Sequence, residues 1–161
     1  MANHVFNKVY FEVPEEKFFD MKEELKESNE DVTDSTGEVE DSFDFNKIIP
    51  VPKEEEDKDS NEAHRKYWGT KWGACEVKWE FRLPKEVCIT FLTAWTVPEK
   101  VMMKFVEKYK LAKMTHCYLD EMYSFYGVIT YEFDNGIISA DDNNERCLLP
   151  MLLDLFGFSR K

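Results

Sequence analysis

The chain of 161 residues is 43% hydrophobic and 15% aromatic, enough for one core of ordinary size and thus for a single domain over 1–161. Its formal charge of -12 repels nucleic acid and disfavours direct DNA or RNA binding by the part that carries it. No apolar run approaches the roughly 18 to 20 residues of a membrane span, and the N-terminus has no basic stretch leading into a hydrophobic one, so a soluble, unprocessed protein without membrane contact is expected.

Residues 4–13, HVFNKVYFEV, read as a first strand with Val5, Val9, Phe11 and Val13 on one face. Pro14, Glu15 and Glu16 suit a first helical turn, and Phe18, Met21 and Leu25 recur at helical spacing, which predicts a helix. An acidic insertion over about 28–66 follows. Its flanks, 28–43 and 53–66, are polar and read as mobile or extended. Between them, DFNKIIPVP offers Phe45, Ile48 and Ile49 as anchors, with Pro50 and Pro52 keeping it extended along the body of the domain.

After WGTKWGA, the segment CEVKWEFRL alternates strictly, with Cys75, Val77, Trp79, Phe81 and Leu83 on the buried side. Pro84 to Glu86 turn it into VCITFLTAW, forming a hairpin. Thr96 and Glu99 have the spacing of a capping box around Pro98, and Val101, Met102, Phe105, Val106 and Tyr109 continue as an amphipathic helix. KMTHCYLD is a further strand, and YGVITYEFDNGIISA a hairpin turning at Asn135 and Gly136. The apolar segment at about 144–158 predicts a C-terminal helix that must bury itself.

In order, these elements give an α+β fold. It is a ferredoxin-like split βαβ sandwich, an antiparallel sheet with two helices on one face, extended by the acidic insertion after helix one and by a C-terminal hairpin and helix. The words NHVFNKVYF, FDFNKIIPVP (43–52), YWGTKWGA (67–74) and FLTAW followed by Pro98 resemble the YubB-like, ferredoxin-like family of phage and plasmid proteins over roughly residues 2–136. That resemblance implies the same fold and a mobile-element setting in a bacterial cytoplasm. It implies no catalytic residues.

Candidate chemistry is sparse. The four cysteines have no CxxC spacing, as in a reducing compartment. His116 and Cys117 are adjacent in a strand and point to opposite faces, so they do not readily share one ion. Phosphate-binding glycine loops and nucleophile elbows are absent. No catalytic residue, metal or cofactor is therefore expected, and the protein reads as a non-enzyme. The open sheet face would carry His4, Phe6, Lys8 and Tyr10 beside Glu76, Lys78, Glu80 and Arg82, a mixed set that argues against RNA recognition. Phe6, Tyr10 and Leu92 would instead form a floor for the C-terminal helix, within the chain or across a homodimer. Trp72 reads as a core plug in an aromatic cluster extended by Trp79 and Trp95, and Trp68 and Lys71 as exposed contacts.

What remains is charge. Asp and Glu outnumber Lys and Arg by 20 to 7 through residue 62, and are balanced 13 to 14 thereafter. Glu16, Asp20, Glu23, Glu24 and Glu27 are spaced along a helix face, and Glu54, Glu55 and Glu56 follow in the insertion. These carboxylates are candidate contacts to a basic protein cleft, such as that of a host nuclease or defence complex, in positions otherwise taken by phosphates. The expectation is an anti-CRISPR-like or anti-restriction inhibitor that mimics nucleic acid. The alternatives are an assembly homodimer of a mobile element and a metal-dependent enzyme using surface carboxylates.

Overall fold

The computed structural model describes residues 3–27 and 41–158; the stretch 28–40, most of the first segment read as mobile, lies outside the described residues. Strand β1 (His4–Glu12) leads into helix α1 (Glu15–Glu24), and the insertion holds helices α2 (Lys53–Lys58) and α3 (Ser60–Trp68). The hairpin β2 (Cys75–Arg82) and β3 (Glu86–Ala94), helix α4 (Glu99–Tyr109), strand β4 (Lys113–Asp120), the hairpin β5 (Tyr126–Asp134) and β6 (Ile137–Asn143) and helix α5 (Leu149–Leu155) complete the chain.

The six strands form one sheet in the order β2-β3-β1-β4-β5-β6, with every neighbouring pair antiparallel. The first four positions are the split βαβ order, and β5 and β6 extend the sheet beyond β4, so the ferredoxin-like fold with its added hairpin is as expected. Val5, Val9 and Phe11 of β1 are buried on the helix side, where Phe11 meets Phe105 of α4 edge-on at 5.5 Å. Phe18 and Met21 bury the inner stripe of α1, and the Phe18 ring stacks on Phe81 of β2 at 5.1 Å. At the β5–β6 turn, Asn135 and Gly136 both take positive φ, 51° and 78°, the geometry that lets a two-residue turn follow the twist of its strands.

The centre of the insertion is part of the core. Phe43 and Phe45 are buried, and Phe43 contacts the rings of Phe45, Trp79, Phe91 and Phe105 within 6.0 Å. The same segment caps the outer edge of the sheet: the Trp79 amide donates to Asp41 Oδ2 (2.9 Å) and its indole to the Ser42 carbonyl (3.0 Å). The first bond removes one backbone donor on which another chain's strand would pair.

Several local expectations change. Residues 53–66, read as mobile or extended, are helical through α2 and most of α3. The Asp59 side chain caps α3 by accepting from the Glu62 amide at 3.2 Å, and α2 is held by side-chain bonds to α3 rather than by a buried stripe. The Thr96–Glu99 box does not form, because the Thr96 hydroxyl donates to the Gly69 carbonyl and α4 has no side-chain cap. Leu83 is 80% exposed. A bulge between Cys75 and Lys78, with Glu76 at φ 50°, interrupts the alternation of β2. The C-terminal helix folds onto its own sheet, on the face opposite α1 and α4: Leu152 is fully buried, and Phe6 meets Phe156 at 6.0 Å and Phe158 at 4.9 Å. Of the expected floor, Phe6 makes this contact, while Tyr10 sits beside Cys88 and Cys117.

Candidate functional site

Helix α1 is built to display acid. Phe18 and Met21 face inward, so Glu16, Asp20 and Glu23 are left in solvent, at i, i+4 and i+7 on one face, over a rise of roughly 10 Å. None of the three has an ion-pair partner among the described residues. Phe19 stands among them and is 57% exposed. The other predicted members differ. Glu24 is paired with Lys108 of α4 at 3.0 Å. Glu27 lies past the end of the helix, where its backbone amide donates to Ser42 Oγ at 2.9 Å.

The carboxylates of the insertion divide as well. Glu54 is exposed. Glu55 accepts from Lys66 Nζ at 2.7 Å and from the Tyr67 hydroxyl; the hydrogen bond from Lys66, then that from Tyr67, hold its carboxyl below the usual range. Glu56 lies 3.5 Å from His64 Nε2. Glu55 thus fastens α2 to α3. Helix α2 packs on α3 and α3 on α4, whereas α1 lies by β2, so the two acidic groups belong to separate parts of the helical layer.

The tryptophans of WGTKWGA are placed the other way round from the expectation. Trp68, read as an exposed contact, is 4% exposed: its indole donates to the Ile49 carbonyl at 2.9 Å, and its ring stacks on His64 at 4.4 Å and meets Phe45 edge-on at 5.5 Å. Trp72, read as the plug, is partly exposed. The helical course of α3 causes the exchange, since it turns its last residue inward before Gly69, at φ 81°, ends it. Lys71 is half-buried, with Nζ 5.7 Å from the Trp72 ring and its carbonyl bonded to His64 Nδ1 at 3.0 Å.

Gly69 and Lys71 line a cleft of about 360 Å³ together with Arg65, Ala94, Trp95 and Thr96. Trp95 is 47% exposed and takes a left-handed φ of 73°, which bulky residues rarely adopt. Trp95, expected with Trp79 to extend an aromatic cluster around Trp72, is instead exposed, while Trp79 is buried; Arg65 is not singled out by the sequence. A tryptophan ending a strand carries no local mark of positive φ, and Arg65 lies within a polar run.

A polar row crosses the core beneath the helices. The Asn7 amide nitrogen donates to the Val5 carbonyl and to Thr93 Oγ1, both at 3.0 Å. Its oxygen therefore faces His116 Nε2 at 2.8 Å, which must carry the proton. His116 Nδ1 has no partner, and burial pushes the imidazole down to about 3. Cys117 points to the opposite face, and burial pushes its thiol up to about 11. Asp120 accepts from the amides of Met122 and Ser124, both at 3.3 Å, and closes a turn. No group of three or more His, Cys, Asp or Glu side chains is placed to hold a metal among the described residues, and no helix there is long and apolar enough to cross a membrane.

A family model described as a ferredoxin-like domain in Api92-like protein matches residues 67–147. The match includes YWGTKWGA and FLTAW, and leaves β1 and most of the insertion outside it. Among solved structures, the chain is similar to the crystal structure of a protein api92 from Yersinia pseudotuberculosis, at 12% identity and a TM-score of 0.50 over 68% of this chain and 43% of that one. The chain thus corresponds to less than half of that protein's length, and the likeness is one of fold. No curated protein matches the chain.

Proposed function

The chain belongs to the Api92-like family of ferredoxin-like domains, and on that premise we propose that it is a non-enzymatic binding protein of a phage or plasmid that blocks a bacterial defence protein in the host cytoplasm. The observation that carries the reading is the outer face of α1. Glu16, Asp20 and Glu23 are exposed there, without cationic partners among the described residues, around the exposed ring of Phe19. Unneutralised carboxylates suit a basic channel that otherwise holds phosphates, and a central aromatic residue suits the dry middle of an interface. Glu24 borders the surface, Glu54 lies exposed on α2 away from it, and Glu55 acts on the fold.

The test is phage plating on bacteria that carry an active restriction or CRISPR system and express the chain. Plating efficiency rises with the wild type, and the rise is lost when Glu16, Asp20 and Glu23 are all replaced by Lys. With the partner in hand, the association rate falls steeply between about 50 and 500 mM salt, as charge steering requires. Equal plating with wild type and triple variant, or an association rate indifferent to salt, refutes the mechanism.

A further inference from the structure

The cleft beside the WGTKWGA loop combines an aromatic face with two cations, and we propose that it binds a mononucleotide, with the base against Trp95 and the phosphate at Arg65 and Lys71. The inference is independent of the acidic face of α1.

Trp95 is held where it is at a cost. A non-glycine residue in the left-handed region costs about 1–3 kcal/mol and persists only where its surroundings fix it. Here the Trp95 amide donates to the Asn3 carbonyl and the Thr96 amide to the Ala94 carbonyl, both at 2.9 Å. The Thr93 hydroxyl donates to the Thr96 carbonyl at 2.8 Å, and the Thr96 hydroxyl ties the turn to Gly69 across the cleft. The held ring is nearly half exposed, so core packing does not account for its position. A planar ligand laid on it would bury that surface, and stacking on a base contributes about 1–3 kcal/mol.

Two cations line the same cleft as the exposed ring. Neither Arg65 nor Lys71 has a carboxylate within ion-pair distance among the described residues, so both are available to an anionic ligand. Lys71 is positioned from behind by the bond its carbonyl accepts from His64 Nδ1, whose ring rests on buried Trp68. Guanidinium and ammonium groups both donate to phosphate, the guanidinium in bidentate fashion. The cleft, at about 360 Å³, lies within the roughly 300–1,000 Å³ typical of small-ligand sites. Net charge selects the size of the ligand: a chain of -12 repels a long polyanion far more than a single phosphate.

The test is calorimetric titration of the full chain with AMP, UMP, adenosine, inorganic phosphate and a twelve-nucleotide thymidine oligomer. The expected result is saturable 1:1 binding of AMP and UMP, with adenosine and phosphate each at least about tenfold weaker. Trp95→Gly, which removes the ring and suits the positive φ, weakens AMP at least about tenfold. Arg65→Ala with Lys71→Ala, both away from the core, weakens AMP similarly but leaves adenosine unchanged. The proposal is overturned by absence of saturable AMP and UMP binding at about 5 mM, by binding that survives both variants, or by tighter binding of the oligomer than of AMP.

Discussion

Replacing His116 by Phe should remove a defined part of the protein's sensitivity to acid. In the folded chain the imidazole is fully buried, donates from Nε2 to Asn7 Oδ1 and has no partner for Nδ1. It therefore stays neutral until about pH 3, against an ordinary value of 6.5. Between these values the unfolded chain binds a proton that the folded chain does not, so stability rises with pH and is lost on acidification. For an unfolded-state pKa near 6.5, protonation of the unfolded chain contributes ~0.16 kcal/mol at pH 7.0 and ~1.42 at pH 5.5, a loss of ~1.3 kcal/mol assigned to His116. His116→Phe lacks this loss. It carries instead a constant cost of about 1–3 kcal/mol, because Asn7 Oδ1 is left without a donor. Urea unfolding of both proteins at pH 7.0 and 5.5, followed by tryptophan fluorescence, gives the comparison. The exposed carboxylates, His4 and His64 are common to both and cancel. The stability gap between wild type and variant should narrow by ~1.3 kcal/mol at the lower pH. A gap that stays constant to within ~0.3 kcal/mol would refute a neutral buried imidazole.

Gly127→Ala should destabilise by about 1–3 kcal/mol in the same unfolding assay, since an added Cβ would lie 2.5 Å from the Tyr118 hydroxyl and 2.9 Å from the Asn143 carbonyl, displacing the bond from Tyr118 to Asp142. Trp68→Phe should cost about 1–3 kcal/mol, through lost packing on His64 and Phe45 and an Ile49 carbonyl left without its donor; an unchanged urea midpoint would contradict a buried Trp68. Glu55→Ala should raise amide exchange across α2 while leaving the urea midpoint of the whole chain nearly unchanged, because α2 has no buried residue and rests on the bonds from Lys66 and Tyr67.

The strands, α1, α4 and the I-prime-like turn at Asn135 and Gly136 were legible because their signals are local. Alternation of period two, a stripe of period 3.6 and a turn pair each occupy a few neighbouring residues. The pairings β2–β3, β4–β5 and β5–β6 follow from the rule that short connections join antiparallel neighbours, and the place of β1 between β3 and β4 from the split βαβ arrangement. The exposed carboxylates of α1 were legible for the same reason, since burying Phe18 and Met21 leaves Glu16, Asp20 and Glu23 no other side. For α3 a usable local signal existed: Asp59 stands three residues before Glu62, the spacing of a capping box. The polar composition of 53–66 outweighed it.

Other features depend on residues far apart in the chain. Whether Trp68 or Trp72 enters the core is decided by Ile49 and Phe45, which meet Trp68 only after the insertion folds back along the body. The Thr96 hydroxyl, eligible for a helix cap by spacing alone, goes to Gly69 because the fold brings that carbonyl within reach. Asn7 and His116 are 109 positions apart and become partners through the pairing of β1 with β4. The cleft arises in the same way, where the end of α3 meets the end of β3. Sequence by itself determined which faces are apolar, and hence the elements and the acidic surface, because hydrophobic periodicity is a property of each segment. Only the tertiary structure decided which polar and aromatic groups are satisfied inside and which are left to bind, because hydrogen bonds and ring contacts require atoms to meet in space.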